Sequence, residues 1–229
     1  PVVGVPQTLD NDLEATALTF GFDSAVACAT DALDRLRTTA ESHDRVMVLE
    51  VMGRYTGWIA VTAGISGGGD VILIPEIPFR YEGVSAKIAE REREGKHFTL
   101  VVVAEGAREQ GTDYVTAGGT EQNREARLGG IGAVVAAEIQ KRTGKETRVC
   151  VLGHLQRGGA PTSFDRLLCT RFGARAVQLI AEEQYGHMVA LRPPDTVAVK
   201  LTDAIGRLRA VPHNGDIVQT ARALGVTFG

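Results

Sequence analysis

The chain has 229 residues, of which 44% are apolar and 23% are charged, and its formal net charge is −3. This length fits one large domain or two small ones, and the composition argues against a disordered, collagen-like or coiled-coil protein. Nucleic-acid-binding domains are usually basic, so the acidic balance argues against nucleic acid as a partner. No apolar stretch reaches the roughly 18 residues that a membrane-spanning helix requires, so we predict no contact with a membrane.

The hydrophobic pattern predicts strands that alternate with helices along the chain. Buried strands are predicted at residues 2–5, 45–52, 71–74, 98–104, 149–152 and 197–201. Helices are predicted at residues 22–36, 58–65, 84–93, 128–142 and 161–185, with a small helix from residue 202 and a loop at 106–127. Several strands are apolar on both faces, which favours a parallel sheet covered by helices. Ligands bind beyond the carboxyl ends of such strands, so residues that follow strands are the first candidates for a site.

The three cysteines, Cys28, Cys150 and Cys169, are widely separated and form no Cys-x-x-Cys pair. An odd number of cysteines in apolar surroundings predicts buried thiols in a reducing compartment rather than disulfides or a zinc site. We therefore predict a cytoplasmic protein. The chain opens with Pro1 and runs directly into an apolar stretch, so we expect a fragment or a processed chain.

The first candidate site is the segment Pro-Gln-Thr-Leu-Asp-Asn-Asp at residues 6–12, directly after the first predicted strand. Its two carboxylates, Asp10 and Asp12, with Thr8 before them, form a set that can hold a magnesium ion and accept a proton. An Asx-rich turn or helix cap is the structural alternative, and the local pattern by itself favours that alternative.

Two more candidate sites follow later strands. Met52, Gly53 and Arg54 form a turn in which glycine lets the backbone approach a ligand and arginine offers a planar fork to phosphoryl oxygens. His154 and Arg157 stand among glycines, a pattern typical of a phosphate-binding turn. Ordinary turns with a solvated arginine are the structural alternative for both.

Three charged residues lie at strand ends. Glu105 closes the strongest predicted strand, where an acid can accept hydrogen bonds from sugar hydroxyls or, alternatively, cap a helix. Arg45 and Arg148 lie at the starts of their strands, where a surface charge is the simplest interpretation. One anionic ligand that is rich in hydroxyl groups could use all of these residues together.

Together, these segments resemble the phosphofructokinase family. The matching pieces are PQTLDND (6–12), TFGFDSA (19–25), SHDRVMV (42–48), EVMGRYTGW (50–58), PEIP (75–78), VVAEG (102–106) and VLGHLQRGG (151–159). They follow the family's order and spacing over nearly the whole chain. The Asp-Asn-Asp, Met-Gly-Arg and Gly-His-x-Gln-Arg-Gly-Gly motifs in that order are highly specific.

The resemblance implies a role for each candidate residue. Asp10 would be the base that takes the proton from the 1-hydroxyl of the sugar, while Thr8 and Asp12 would lie around the transferred phosphoryl group, with Asp12 reaching its magnesium ion indirectly. Arg54 would stabilise charge during phosphoryl transfer. The sugar phosphate would be held by Met52, Gly53, Arg54, Glu105, His154 and Arg157, and from a neighbouring subunit by Arg45 and Arg148.

The resemblance also implies the fold and the activity. The fold would be α/β, a parallel-sheet sandwich of two domains with a sugar-phosphate cleft between them. Residues 22–155 would form the sugar-phosphate domain, and residues 1–21 and 156–229 would belong to the donor domain. The activity would be the glycolytic transfer of a phosphoryl group to the 1-hydroxyl of fructose 6-phosphate. Sugar sites that are shared between subunits imply a homo-oligomer, expected to be a tetramer.

The phosphoryl donor is less closely defined by the resemblance. The family's Gly-Gly-Asp stretches bind donor phosphates and magnesium. The similar residues Gly67-Gly68-Gly69-Asp70 follow the Met-Gly-Arg segment, which is the wrong place for the donor site. No donor-binding residue is therefore assigned, and the isolated chain is expected to be inactive. Relatives that use pyrophosphate have Lys at the position of Gln7, whereas many that use ATP have Gly. We favour ATP with Mg²⁺, because a pyrophosphate site should keep the lysine. A pyrophosphate-dependent enzyme and a non-catalytic sugar-phosphate-binding subunit are the alternatives.

Overall fold

The computed structural model describes residues 1–115 and 129–229. In chain order its elements are β1 (Val3–Gly4), α1 (Phe22–Ser42), β2 (Val46–Val51), α2 (Trp58–Ser66), β3 (Val71–Leu73), α3 (Tyr81–Arg93), β4 (Thr99–Ala104), α4 (Ile131–Thr143), β5 (Thr147–Val151), α5 (Ser163–Ala181), β6 (His187–Arg192), β7 (Asp195–Lys200), α6 (Leu201–Ile205) and α7 (Asp216–Ala223). A short 3-10 helix (Gly153–Arg157) lies between β5 and α5.

Four strands form the larger sheet, in the order β3-β4-β2-β5, and all neighbours in it run parallel. Its two central strands, β4 and β2, are buried along their whole length, as expected of strands with apolar side chains on both faces. Helices α1 and α2 cover one face of the sheet, and α3 and α4 cover the other. The predicted α/β class and the parallel sheet are confirmed.

The second sheet is smaller and mixed. β1 pairs in parallel with β6, and β6 pairs with β7 in the antiparallel direction. The sequence pattern predicts only parallel sheets and does not predict β6. Pro193 and Pro194 follow β6 directly, and the apolar run before them is too short to give a periodic signal.

The C-terminal segment packs beside the larger sheet. Val218 and Ala221 of α7, together with Phe228, are buried in the core that α1 and α2 form with that sheet. Ile72 N of β3 donates to the Thr227 carbonyl at 2.9 Å. The sequence pattern does not predict α7, which is only two turns long. The predicted division assigns residues 156–229 to the donor domain, although α7 within them packs with the larger sheet. The division into domains stays a prediction.

Other element bounds differ from the predicted ones by a few residues. The helix predicted at 161–185 spans Ser163–Ala181, and the helix predicted at 128–142 begins at Ile131, after Gly130 with φ 89°. Within the predicted loop, residues 116–127 lie outside the described residues, and so does residue 128. In the part of the chain that the structure describes, no helix has both the length and the apolar character needed to cross a membrane.

Candidate active site

The residues that follow β2, β4 and β5 lie at one edge of the larger sheet, because these strands run parallel. The β2–β4 ladder continues beyond the strands. Glu105 N donates to the Val51 carbonyl at 2.9 Å, and Gly106 N donates to the Gly53 carbonyl at 3.1 Å. Glu105 therefore lies directly beside the Met52-Gly53-Arg54 turn.

Two glycines allow this close approach of two backbones. Gly53 has φ 137°, and a Cβ there would lie 2.6 Å from the Thr56 carbonyl oxygen. A Cβ on Gly106 would collide with the carbonyl oxygen of Arg54. A side chain on Gly106 would push the Arg54 turn away from the backbone next to Glu105, and a side chain on Gly53 would distort the Arg54 turn itself.

The loop that carries Asp10 is held by hydrogen bonds from threonines. Thr19 Oγ1 donates to the Thr8 carbonyl at 2.6 Å, and Thr19 N donates to Asn11 Oδ1 at 3.1 Å. Asp10 N donates to the Thr8 hydroxyl at 3.2 Å, and Thr56 Oγ1 donates to the Asp10 carbonyl at 3.2 Å. Asn11 has a left-handed backbone with φ 54°, which asparagine tolerates better than most residues. Because Thr56 belongs to the turn after β2, it ties the Asp10 loop to that turn.

The Asp10 carboxylate is buried, and its pKa is raised toward neutral pH. Its Oδ1 atom is buried and has no hydrogen-bond partner among the described residues. Burial, and secondarily the negative charge of Asp12, raises the pKa of Asp10 to about 6, against the opposing effect of the Arg157 guanidinium. A carboxylate with a pKa close to neutral is suited to act as a general base.

Glu105 shares the electrostatic environment of Asp10. Burial raises the pKa of Glu105, and the negative charges of Asp10 and Glu50 add to this effect. A hydrogen bond from the Gly53 backbone and the Arg54 guanidinium act in the opposite direction. The structure therefore brings Asp10, Glu105 and Arg54 into one region, and each of these side chains follows a different strand.

A cleft of about 680 Å³ opens between the Asp10 loop, the start of α1 and the start of α5. Gln7, Arg157 and Arg166 are among its lining residues, so two cations face it. His154 and Arg157 are exposed and accessible to an anionic ligand. Cys169 also lines the cleft and is exposed. The prediction of buried thiols is therefore wrong for Cys169, and Cys28 and Cys150 are only partly buried.

Arg45 and Arg148 lie at the opposite edge of the larger sheet. Both guanidinium groups contact the Glu146 carboxylate, with Arg45 Nη2 at 2.9 Å from Glu146 Oε1. The strands between this pair and the residues after β5 span roughly 20 Å at about 3.3 Å per residue. The structure thus brings the two arginines to each other, and it does not bring them to Asp10 of the same chain.

A carboxylate that the sequence pattern does not single out joins the starts of two helices at the cleft. Asp165 Oδ1 accepts from Gly21 N at 2.9 Å, and Asp165 Oδ2 accepts from Ser24 N at 2.8 Å. Thr162 Oγ1 in turn accepts from Asp165 N at 3.2 Å and caps α5. The residues Thr-Ser-Phe-Asp at 162–165 are similar to a capping box, so the cap from Thr162 could have been predicted from the sequence. The bonds of the Asp165 carboxylate to α1 could not, because their donors lie more than 140 residues away in the chain.

Comparison with known proteins gives consistent matches. The family model described as phosphofructokinase matches residues 1–180. An ATP-dependent 6-phosphofructokinase of Chloroflexus aurantiacus is 58% identical over 229 residues, which are 100% of this chain and 63% of that protein. A pyrophosphate–fructose 6-phosphate 1-phosphotransferase of Amycolatopsis methanolica is 55% identical over 212 residues, which are 92% of this chain and 62% of that protein. The chain thus spans less than two thirds of the length of these relatives.

A solved structure gives a further match. Phosphofructokinase of Saccharomyces cerevisiae superposes with a TM-score of 0.76 at 32% sequence identity, over 89% of this chain and 26% of that chain. The similarity of sequence and the similarity of fold therefore point to the same group of proteins.

Proposed function

The chain belongs to the phosphofructokinase family, and from that premise we propose that the protein transfers a phosphoryl group to the 1-hydroxyl of fructose 6-phosphate, as a step of glycolysis. The resemblance that the sequence motifs predict is thereby confirmed. The observation that best supports this activity is the Asp10 carboxylate. One of its oxygens is buried without a partner among the described residues, and its pKa is raised to about 6.

Asp10 accepts the proton of the sugar 1-hydroxyl as that oxygen attacks the terminal phosphorus of the donor. The bond from this phosphorus to the bridging oxygen of the donor breaks, and the electron pair leaves with the donor. Arg54 offsets negative charge on the transferred group. Thr8 Oγ1 accepts from Asp10 N, so its own proton is available for a phosphoryl oxygen. Positioning and electrostatic stabilisation supply most of the catalysis.

The sugar phosphate is held by the residues that follow β2, β4 and β5. His154 and Arg157 are exposed and bind the 6-phosphate, because cationic donors form strong hydrogen bonds with phosphate oxygens. Met52 and Gly53 line the sugar. Glu105 accepts hydrogen bonds from sugar hydroxyls.

Magnesium fits the chemistry of this site. Across residues 1–115 and 129–229, no three His, Cys, Asp or Glu side chains gather into a metal site. Mg²⁺ commonly needs no such site, because one or two carboxylates, waters and substrate phosphates complete its shell. The residues present fit the ion, because one Asp10 oxygen is buried without a partner among the described residues and Asp12 would hold the ion through water. When bound, the ion neutralises charge that develops on the phosphates.

We propose ATP as the donor. The relative that is 58% identical is named for ATP, whereas the one that is 55% identical is named for pyrophosphate. Gln7 lines the cleft and carries no positive charge. The lack of a cation at this position favours ATP over pyrophosphate, whose charge is concentrated on two phosphates. Pyrophosphate remains the alternative donor for the same reaction.

We further propose a cytoplasmic homo-oligomer, and by family resemblance a homotetramer, in which Arg45 and Arg148 of one subunit complete a neighbour's sugar-phosphate site. Their position at the far edge of the sheet, beside Glu146, supports this proposal. We keep the predicted division, in which residues 22–155 form the sugar-phosphate domain and residues 1–21 and 156–229 contribute to the donor domain, with one exception. The C-terminal segment with α7 and Phe228 packs with the larger sheet and so joins the sugar-phosphate domain.

A purified protein of the relatives' full length tests the proposed reaction. With fructose 6-phosphate and Mg²⁺, it should form fructose 1,6-bisphosphate from ATP much faster than from pyrophosphate. Faster reaction with pyrophosphate would overturn the donor assignment. Binding of the sugar phosphate without product from either donor would instead favour a non-catalytic subunit. The 229-residue chain alone should show no kinase activity.

A further inference from the structure

Gln156 is a buried side chain within an exposed segment. It is 4% exposed, while its neighbours Leu155 and Arg157 are exposed. Both ends of its amide are hydrogen-bonded: Oε1 accepts from Met52 N at 2.7 Å, and Nε2 donates to the Ala25 carbonyl at 3.2 Å. A buried polar group that is satisfied at both ends fixes the relative position of the groups that it joins.

The hydrogen bond from Met52 N to Gln156 takes the place of a rung, that is, of one hydrogen bond, that is missing from the ladder between β2 and β5. In the β2–β5 ladder, Leu152 N donates to the Glu50 carbonyl at 3.0 Å, and the next rung of a parallel ladder would join Met52 N to the Leu152 carbonyl. Leu152 leaves the strand with helical φ −74° and ψ −42°, and its carbonyl accepts from Leu155 N at 3.0 Å instead. The Gln156 side chain supplies the acceptor that Met52 N would otherwise lack.

The amide connects three pieces of the site. Met52 lies two residues before Arg54, and Gln156 lies immediately before Arg157. The Met52–Gln156 bond therefore sets the separation of the backbones that carry the two arginines. The second bond, to Ala25 near the start of α1, holds this pair against the helix that follows the Asp10 loop.

We propose that Gln156 is a positioning residue that sets the distance between the turn acting on the transferred phosphoryl group and the turn binding the 6-phosphate. This inference rests on the proposed function, in which one sugar phosphate spans Arg54 and Arg157. A change in their separation would misplace the 1-hydroxyl whenever the 6-phosphate is bound, and small displacements cost heavily in catalysis.

The residue type fits this task because the position needs an acceptor and a donor at once. Glutamate keeps the acceptor for Met52 N and, when ionised, has no donor for the Ala25 carbonyl. Methionine has nearly the same length and has neither group. Asparagine keeps the amide on a side chain that is one methylene shorter, so it cannot reach both partners in the same backbone position.

Gln156→Met and Gln156→Glu, made in protein of the relatives' full length, separate positioning from simple stability. Gln156→Met should raise the KM for fructose 6-phosphate about tenfold or more and lower kcat, with the KM for ATP little changed. Gln156→Glu keeps the rung to Met52, so its KM for the sugar should rise less. It should nevertheless be the less stable of the two, because an ionised carboxylate is buried there. The variant with the larger rise in KM is thus the more stable of the two, which is the reverse of what a loss of stability alone would produce.

Ile88→Val is the matched control, because Ile88 is buried in α3 on the other face of the sheet. It should lose stability without changing either KM. Gln156→Met with an unchanged KM for the sugar would overturn the positioning role. A KM that rises as the melting temperature falls across all three variants would overturn it as well. A wild-type protein inactive on fructose 6-phosphate would instead overturn the proposed function. Should Gln156→Met not fold, Gln156→Asn carries the same KM criterion.

Discussion

The hydroxyl of Thr56 donates to the backbone carbonyl of Asp10 at 3.2 Å, and it so joins the loop that carries the proposed base to the turn that carries Arg54. Thr56 is 2% exposed although it lies in a turn. In the proposed reaction, Asp10 takes a proton from the attacking oxygen while Arg54 stabilises the group that is transferred. The two residues must therefore keep a fixed relation, and this hydrogen bond provides it.

Thr56→Val should lower kcat by up to about tenfold, with a smaller effect on the KM for fructose 6-phosphate, because one neutral hydrogen bond contributes about 0.5–1.5 kcal/mol. Valine keeps the shape of the side chain and removes only the hydroxyl. Thr30→Val is the control, since Thr30 Oγ1 donates to the Val26 carbonyl within α1 at 2.9 Å. Steady-state kinetics of both variants measure this effect. An unchanged kcat in Thr56→Val would show that the Thr56 hydroxyl does not position Asp10 relative to Arg54.

The pKa of Asp10 should appear in the pH dependence of kcat/KM, which reports groups of the free enzyme. Because the base must be ionised, kcat/KM should fall as the pH drops through about 6. Asp12→Asn removes a charge that raises this pKa, so the acid limb should move to lower pH. Arg157→Leu removes a charge that lowers it, so the limb should move to higher pH. Profiles of the two variants that shift in the same direction would contradict the assignment of the limb to Asp10.

The ionised Asp10 carboxylate should also destabilise the folded protein at neutral pH. Its folded pKa of about 6 lies above the ordinary 3.8, so its proton stabilises the fold fully below pH 3.8, and that contribution is lost as the pH rises through about 6. Asp10→Asn should therefore raise the free energy of unfolding at about pH 8 by about 1–3 kcal/mol, and the gain should vanish below pH 3.8. Urea unfolding of the ligand-free protein measures this difference.

Asp34→Asn, which changes an exposed carboxylate of α1, serves as the control for that measurement and should be nearly neutral. A destabilised Asp10→Asn at pH 8 would show that the Asp10 carboxylate is satisfied in the folded protein. In that case its buried oxygen would no longer support the role of a base.

Local pattern was sufficient for most of the larger sheet. β2 and β4 are rich in valine and leucine and are buried throughout, so the burial of their apolar side chains on both faces follows from composition. The burial of Glu50 in β2 does not follow from composition, and its carboxylate accepts from Gly132 N at 2.7 Å. β6 was not predictable in the same way, because its short apolar run becomes a strand only by pairing with β1 and β7. Pairing with the distant β1 leaves no periodic signal in either strand, whereas β7 follows β6 after only Pro193 and Pro194.

The same distinction holds at the candidate site. Asp10, Arg54 and Arg157 stand out because charged residues after strands carry an obvious chemistry. Thr56 and Gln156 lie within the matching motifs, but their contacts could not be predicted, since their partners lie 46 and 104 residues away in the chain. Only the folded structure shows that a threonine hydroxyl and a glutamine amide hold the neighbouring turns in place.

Subunit mixing tests the proposed sharing of sugar sites. Asp10→Asn and Arg148→Ala proteins of full family length should each be nearly inactive alone. After their subunits exchange, sites that combine an intact Asp10 with a neighbour's intact Arg148 should restore part of the wild-type activity. Mass spectrometry of the mixed oligomer is the necessary control. Demonstrated mixing without recovered activity would mean that each chain completes its own site.

The central claim, that Asp10 is the base of a sugar-phosphate kinase, is tested most directly by the kcat of Asp10→Asn in protein of the relatives' full length. General-base catalysis typically contributes about 10²- to 10⁴-fold, so kcat should fall by that factor. The KM for fructose 6-phosphate should stay nearly unchanged, because a base acts in the transition state and contributes little to binding. A kcat within about tenfold of wild type, in a variant shown to be folded, would contradict the account.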